Sequence, residues 1–284
     1  MKLPAFDYAA PETLREAIEL LAAHKDALPI AGGQSLIPIL AFRLAAPSLL
    51  VDLRRIPGLD AITISERGVS LGAKVRWCDI EADRRLGTAH PLLADAVTYI
   101  AHYPIRSRGT VGGSLAHADT AAELPGIAVT CDAEITAVGS AGSRSIAARD
   151  FFTGPMMNSL AHDELVTALH LPAWPQARRW AFEEFARQHG AFALAGIALF
   201  YDLDDGVAAN AHIGVIGAGA QLQRIAEAEA VLNGRAVDEA VILATARAAA
   251  TAIDAAGDID APAAYRRSLV ETLTERALKR AVAR

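Results

Sequence analysis

Apolar residues first recur at helical spacing between Pro11 and His24, where Leu14, Ala17, Ile18 and Leu21 follow three- and four-residue steps. The pattern predicts an amphipathic helix with Pro11 in its first turn. Leu28-Pro29-Ile30-Ala31 reads as a short buried strand ending on Gly32-Gly33. A short helix over Ser35–Leu44 and a strand over Leu49–Leu53 follow, and Pro57-Gly58 breaks the pattern. Beyond it come strands at Ile62–Ile64 and Val69–Leu71 and helices at Arg76–Arg84 and Pro91–Ala101. A second glycine-rich loop occupies Gly109–Ser114, and Ala121–Thr130 is helical. Ala133–Val138 and Arg144–Ile146 form a hairpin around Gly139-Ser140-Ala141-Gly142, and Glu164–Leu171 is a strand that runs into Pro172.

The pattern then changes. Pro172 and Pro175 mark a linker, followed by three longer strands at Arg179–Arg187, Phe192–Leu203 and Val207–Ile216. Asp204-Asp205-Gly206 supplies a hairpin turn between the last two. Helices over Arg224–Leu232, Asp238–Ile253 and Pro262–Val282 close the chain, the last with Tyr265, Leu269, Leu273 and Ala277 as its apolar stripe. Strands followed by helices argue for an α+β arrangement with helices on one sheet face. No internal repeat of solenoid period is present.

With 284 residues, 52% hydrophobic and 21% charged, the chain has material for a sizeable core and is not of disordered composition. A net charge of −6 argues against nucleic acid as a partner. The N-terminus does not read as a signal peptide and no apolar run is long enough to span a bilayer, so a cytoplasmic location without a transmembrane segment is expected. The two cysteines, Cys78 and Cys131, read as ordinary thiols. They are too few for a disulfide framework, a four-thiolate zinc site or an iron–sulfur cluster. Redox chemistry would need an organic cofactor or a centre on another chain.

The chemistry concentrates in two glycine loops. Ala31-Gly32-Gly33-Gln34-Ser35 follows a strand and precedes a helix, and Thr110-Val111-Gly112-Gly113-Ser114 repeats Gly-Gly between hydroxyl residues. Neither has the lysine of a Walker loop, and neither fits G-x-G-x-x-G. Either alone is compatible with a tight turn. Together they suggest two halves of one diphosphate site, each neutralising a phosphate with backbone dipoles. Arg106 and Arg108 precede the second loop and either complement a phosphate or pair with carboxylates. His117-Ala118-Asp119 with Glu123 offers too few ligands for a metal and suits a cluster around sugar hydroxyls. A third cluster, Gly214-Val215-Ile216-Gly217-Ala218-Gly219, resembles a nicotinamide-binding turn. Leu222 stands where a third glycine belongs, and helices follow instead of alternating strands. A strand end is the simpler reading.

Ala31-Gly32-Gly33-Gln34-Ser35-Leu36 and Arg108-Gly109-Thr110-Val111-Gly112-Gly113-Ser114-Leu115-Ala116-His117-Ala118-Asp119 resemble the two FAD-binding signatures of molybdenum hydroxylase medium subunits. This is the family of the flavoprotein subunits of carbon monoxide dehydrogenase and of xanthine, nicotine and quinoline-type dehydrogenases. The resemblance spans essentially the whole chain. It implies a vanillyl-alcohol-oxidase (PCMH) type FAD-binding domain over residues 1–174, built of α+β subdomains of about 1–56 and 57–174. A C-terminal α+β domain over 175–284, with a three-stranded antiparallel sheet and helices, completes the expectation.

The resemblance also implies site residues. Ala31, Gly32, Gly33, Gln34, Ser35, Leu36 and Ile37, with Thr110, Gly112, Gly113 and Ser114, would wrap the pyrophosphate of a non-covalent FAD. Ala116, His117, Asp119 and Glu123 would line the rest, and Ile100, Ala101 and Ile105 would pack on its apolar parts. Leu165 and Val166 would lie near a ring edge, and Phe192 near the isoalloxazine. No catalytic residue and no metal ligand is expected on this chain. A molybdenum cofactor on a large partner subunit and 2Fe–2S clusters on a small one would complete an electron path to an external acceptor, in a dimer of heterotrimers. A self-contained flavin oxidase or reductase is the alternative. Two departures from the family pattern are Thr120 where a proline is common, and Ala191 where relatives often carry an acid.

Overall fold

The computed structural model describes residues 2–284. Three short strands, β1 (Asp7–Ala9), β2 (Leu28–Ile30) and β3 (Leu49–Asp52), form a parallel sheet in the order β1-β3-β2. The helix Leu14–Ala23 is its crossover. It starts at a capping box between Thr13 and Glu16, three residues inside the sequence expectation, and buries Ala17, Ile18 and Leu21. Asp52 closes β3 as a buried carboxylate, held by the Tyr8 hydroxyl and the Arg54 guanidinium, each donating at 2.6 Å.

Strands β4 (Ile62–Ser65), β5 (Gly68–Gly72), β6 (Glu134–Gly139) and β7 (Gly142–Ala147) come next along the chain. The small hairpin β8 (Phe152–Gly154) and β9 (Met157–Asn158) follows them, and then β10 (Leu165–Pro172). The larger of these strands make an antiparallel sheet in the order β4-β5-β10-β6-β7. The sheet is packed with helices between Trp77 and Thr130. Lys74 ties the two N-terminal sheets together by donating to the carbonyls of Arg54 and Ile56.

The C-terminal sheet holds β11 (Arg179–Ala186), β12 (Ala193–Asp204), β13 (Val207–Ile216) and β14 (Gln223–Arg224), all antiparallel neighbours in that order. The expected three strands are therefore four. A two-residue strand is too short to register in hydrophobic periodicity. It is fixed instead by Arg224, which pairs with Glu229 at 2.8 Å and with Asp132 at 2.7 Å. The expected stripe on the last helix keeps Leu273 and Ala277 and shifts by one position only in its first turns. Its buried face is Arg266, Val270, Leu273, Ala277 and Ala281, while Tyr265 is 43% exposed. Arg266 is buried because it donates to the carbonyls of Leu194 and Gly217 at 2.6 Å and pairs with Asp258.

One face of the C-terminal sheet packs on its own helices and the other on the N-terminal region. Ala181, Ile197, Leu199 and Ile213 belong to the first core, and Phe182, Ala198, Phe200 and Ile216 to a core shared with Val97, Leu124 and Ile127. The helix Glu123–Thr130 lies directly on β12 and β13. A Cβ on Gly126 would collide with Ile216, and one on Gly214 with the Thr130 hydroxyl. Two missing side chains thus bring helix and sheet to close contact.

Candidate functional site

A cavity of about 710 Å³ opens among the two N-terminal sheets, the helix Val111–His117 and the loop before β12. That volume suits a dinucleotide-sized ligand. Ala31 to Leu36, Ile100, Ala101, Ile105, Thr110, Gly112, Gly113, Ser114, Ala116, His117, Asp119, Glu123, Leu165, Val166 and Phe192 all line it. Ile37 does not. A Cβ on Gly33 would lie 3.2 Å from Ile37 Cγ1, so Ile37 packs beneath the first loop.

The two glycine loops touch through their backbones. A side chain on Gly32 would collide with the carbonyl of Arg108, and its Cβ would lie 3.0 Å from Gly109 Cα. Gly33 turns the chain at φ +71°, a conformation in which a Cβ is strained. The amides of Gly33, Gln34 and Ser35 have no hydrogen-bond partner among the described residues. Gln34 does not reach outward; its Nε2 donates to Gly32 O at 3.0 Å and fixes the turn. Three neighbouring unpartnered N–H groups bordering a cavity form an anion cradle.

The second loop is built differently. Val111–His117 is a helix, with Gly112-Gly113 in its first turn rather than in a free loop. Val111 N donates to Val75 O at 2.9 Å, Gly112 N to Ala73 O at 2.8 Å, Gly113 N to Thr110 Oγ1 at 3.1 Å and Ser114 N to Thr110 O at 3.0 Å. Its amides are already engaged, so it does not offer the backbone donors that its sequence suggests. What it offers is closeness and the Ser114 hydroxyl. A Cβ on Gly112 would stand 2.6 Å from that of Ala73. The β8–β9 hairpin holds the far end of this helix, where Asn158 Nδ2 donates to Ala116 O at 2.7 Å.

The arginines divide. Arg106 braces the wall: it pairs with Glu81 at 2.9 Å and donates to the carbonyls of Ile100 and Ala101. Ala101, at φ +43°, lines the cavity. Arg108 is exposed and contributes its carbonyl to the contact with Gly32. Lys74 and His117 are the basic side chains of the lining, against Asp119, Glu123 and Glu164. Recognition of an anion therefore falls to amides more than to charge.

Glu123 opens its helix at the cavity wall and is 7% exposed. Burial, with the nearby Asp119 carboxylate, pushes its carboxyl up to about 7. Asp119 accepts from Ala121 N at 2.9 Å. Phe192 stands at the rim, 67% exposed, beside Gly190 and Ala191. Ala191 is itself on the wall. Thr120 turns its carbonyl to Gly217 N at 2.9 Å, which pins the third glycine cluster as a strand end.

Several lining residues carry no sequence signal. Trp77 reaches the cavity from the helix Trp77–Ala82 and sits against Gly109, where a Cβ would lie 2.7 Å from its indole nitrogen. Leu53, Ala73, Leu160 and Glu164 also line it. Gly190 lines it too, beside Phe192. Among the described residues, no group of three or more histidine, cysteine or acidic side chains converges as metal ligands. Cys131 is buried, its thiol pushed up to about 12, and Cys78 is half-buried. No helix among the described residues is long and apolar enough to cross a membrane.

Comparison with known proteins agrees with this geometry. Residues 4–174 match the model of the FAD binding domain in molybdopterin dehydrogenase, and residues 180–281 that of the CO dehydrogenase flavoprotein C-terminal domain. The chain is 39% identical to the nicotine 6-hydroxylase medium subunit of Paenarthrobacter nicotinovorans, with 100% of each covered. It is also 39% identical to the 6-hydroxypseudooxynicotine dehydrogenase complex subunit alpha of the same organism, over 100% of this chain and 97% of that one. A solved quinoline 2-oxidoreductase from Pseudomonas putida 86 superposes with a TM-score of 0.95 at 37% identity, covering 100% of this chain and 99% of that one. A carbon monoxide dehydrogenase from Hydrogenophaga pseudoflava, lacking the Mo-pyranopterin moiety, gives 0.96 at 33%, with 100% and 99% covered. A glycine-built cavity with an open amide cradle, full-length relatives and both family models lead to one conclusion: the chain belongs to the family of FAD-binding medium subunits of molybdenum hydroxylases.

Proposed function

We propose that this chain is the electron-transfer subunit of a molybdenum-containing hydroxylase. It would stand between 2Fe–2S clusters on a small partner subunit and an external acceptor, with substrate hydroxylated at a molybdenum cofactor on a large one. The observation that supports this reading best is the set of unpartnered amides of Gly33, Gln34 and Ser35 at the edge of a dinucleotide-sized cavity. They fit a diphosphate, and the residues present fit FAD. Bound FAD supplies one- and two-electron redox chemistry; the chain's own groups bind and orient it.

The proposed holding residues are those of the wall. The Gly33–Ser35 amides would take the diphosphate, with the Ser114 hydroxyl opposite. Asp119, His117 and Glu123 would meet the sugar and ribityl hydroxyls. Ile100, Ala101, Ile105, Leu165, Val166 and Phe192 would enclose the apolar parts and limit water. The proposed domain division follows: FAD-binding over 1–174, in subdomains of about 1–56 and 57–174, and a C-terminal domain over 175–284. The proposed assembly is a dimer of heterotrimers in the cytoplasm.

The test is expression of the chain alone and with its two partners. Alone, it should retain FAD non-covalently and remain oxidised when candidate substrates are added. With partners carrying molybdenum and iron, the flavin absorbance should bleach on addition of substrate. Bleaching by substrate in the isolated chain would favour a self-contained oxidase or reductase instead.

A further inference from the structure

Trp77 is 4% exposed, yet it lines the cavity. Its place is fixed by the backbone on either side of it. The segment Ala73–Trp77 runs beside the second glycine loop in a short ladder. Gly112 N donates to Ala73 O at 2.8 Å, Val111 N to Val75 O at 2.9 Å and Trp77 N to Gly109 O at 3.3 Å. Arg76 bridges Thr110 in the same ladder, and its guanidinium pairs with Asp79 at 3.1 Å, which closes the first turn of the helix Trp77–Ala82. The pyrrole edge of the indole then lies against Gly109. A Cβ on Gly109 would stand 2.7 Å from Trp77 Nε1 and 3.0 Å from Cδ1. Gly109 does not adopt a positive φ, so its missing side chain makes room for the indole rather than for a turn. A Cβ on Gly32 would in turn lie 3.0 Å from Gly109 Cα. The indole nitrogen therefore stands at the junction of the two glycine loops, beside the loop that carries the open amides of Gly33, Gln34 and Ser35.

That nitrogen is itself unpartnered. Its N–H has no acceptor among the described residues and is not sealed into the core. A tryptophan N–H withdrawn from bulk water ordinarily finds an acceptor. The carbonyls around it are spent: Gly109 O accepts from Trp77 N, and Ile105 O accepts from Gly109 N at 2.7 Å and Arg108 N at 3.0 Å. Across the cavity, Glu164 is taken by Arg144 at 2.7 Å. The acceptor must come from what fills the cavity. An indole N–H is a donor only and carries no charge. It extends a cradle of neutral amides without bringing in a cation, and a bond from it to a phosphate oxygen is of the stronger, charge-assisted kind.

We propose that Trp77 is a ligand-binding residue whose Nε1–H donates to a diphosphate oxygen of FAD, and that Gly109 is the positioning residue that seats the indole. This rests on the reading of the cavity as an FAD site. The second glycine loop, whose own amides are engaged, then contributes a donor after all, through the side chain packed against it. A ring clamped by its neighbours gives this bond at little cost in conformational entropy.

The test is the FAD dissociation constant of the full chain, read by flavin fluorescence, with the phosphorus resonances and visible spectrum of FAD at saturation. Trp77→Phe should weaken FAD by about tenfold or more. Benzothienylalanine in place of Trp77 keeps the shape and removes only the N–H, and it serves if Trp77→Phe does not fold. It should give the same loss and move the phosphorus resonances of bound FAD while the flavin spectrum stays as in the wild type. The FAD-free benzothienyl chain should melt as the wild type does; a merely structural tryptophan would move melting and leave the resonances in place. Gly109→Ala should weaken FAD by about tenfold alone but by less than about twofold in the Trp77→Phe background, where no donor is left to displace. Unchanged FAD affinity in the benzothienyl chain, or a shifted flavin spectrum with unmoved phosphorus resonances, overturns the proposal. Additive losses in the double variant overturn the role of Gly109. A wild-type chain that binds no FAD overturns the FAD reading beneath it.

Discussion

The two glycine loops share a Gly-Gly pair and hydroxyl neighbours, yet they do opposite work. In the first, Gly33 turns through a left-handed conformation, and three amides are left without partners among the described residues. In the second, the glycines sit in a helical turn whose amides are already used by Val75, Ala73 and Thr110. One loop donates; the other permits approach. A glycine pair in a sequence marks where a backbone must come close. Whether it binds depends on whether other carbonyls reach its N–H groups first.

The comparison breaks most severely at Gly32, where the loops meet. Gly32→Val should drive a side chain into the Arg108 carbonyl and abolish FAD retention, with a loss of more than about 100-fold in affinity, read after desalting by flavin absorbance. Gly112→Val presses on Ala73 and should act through folding instead. A loss of about 1–3 kcal/mol in denaturant unfolding of the FAD-free chain is expected. Gly33→Ala sets a Cβ 3.2 Å from Ile37 Cγ1 and strains φ +71°, at a cost of about 1–2 kcal/mol, and should weaken FAD by about tenfold. Equal folding losses in the Gly33 and Gly112 variants, with equal FAD losses, would erase the distinction drawn between the loops. Thr110→Ala removes the cap of the Gly113 amide and should cost about 1 kcal/mol in thermal unfolding.

The smallest expected effect concerns pH. Folded Glu184 binds its proton more tightly than the ordinary carboxyl at 4.5, with the folded value raised to about 8. Its stabilising contribution is therefore complete below pH 4.5 and is lost as pH rises through about 8. Melting temperature should fall between pH 6 and 9 in the wild-type chain and fall less in Glu184→Gln. Parallel curves for the two proteins would contradict the burial of this acid.

Much of this was legible in the sequence. The long strands β12 and β13 show it through their apolar runs and the Asp204-Asp205-Gly206 turn. The helix ends were uneven: Thr13 caps the first helix inside the periodic stretch, whereas the helix expected from Asp238 does start at that cap. Strand β14 and the β8–β9 hairpin are too short to have a pattern. In the site, the glycine signatures located the cavity, and the resemblance supplied its apolar side. What stayed hidden depends on distant contacts. Trp77 reaches the wall only because Gly109 makes room for it, and Arg106 serves two carbonyls rather than a phosphate. Glu184 looks like any acid on an alternating strand. Only its place on β11 beside Gly196, on the face that carries Phe182 and Ala198 into the shared core, shows that its Oε2 is buried.

The glycine notches at Gly126 and Gly214 have a consequence for cooperativity. Helix and sheet from opposite sides of the proline linker share one core through them, with Phe182, Phe200 and Ile216 beside Leu124 and Ile127. The linker is a boundary in the chain but not in the energy. Melting the C-terminal sheet would strip the cover from the helix that carries Glu123, and with it one wall of the cavity. Heating should therefore give a single transition, and a fragment ending near residue 174 would expose the glycine-lined face of that helix to water.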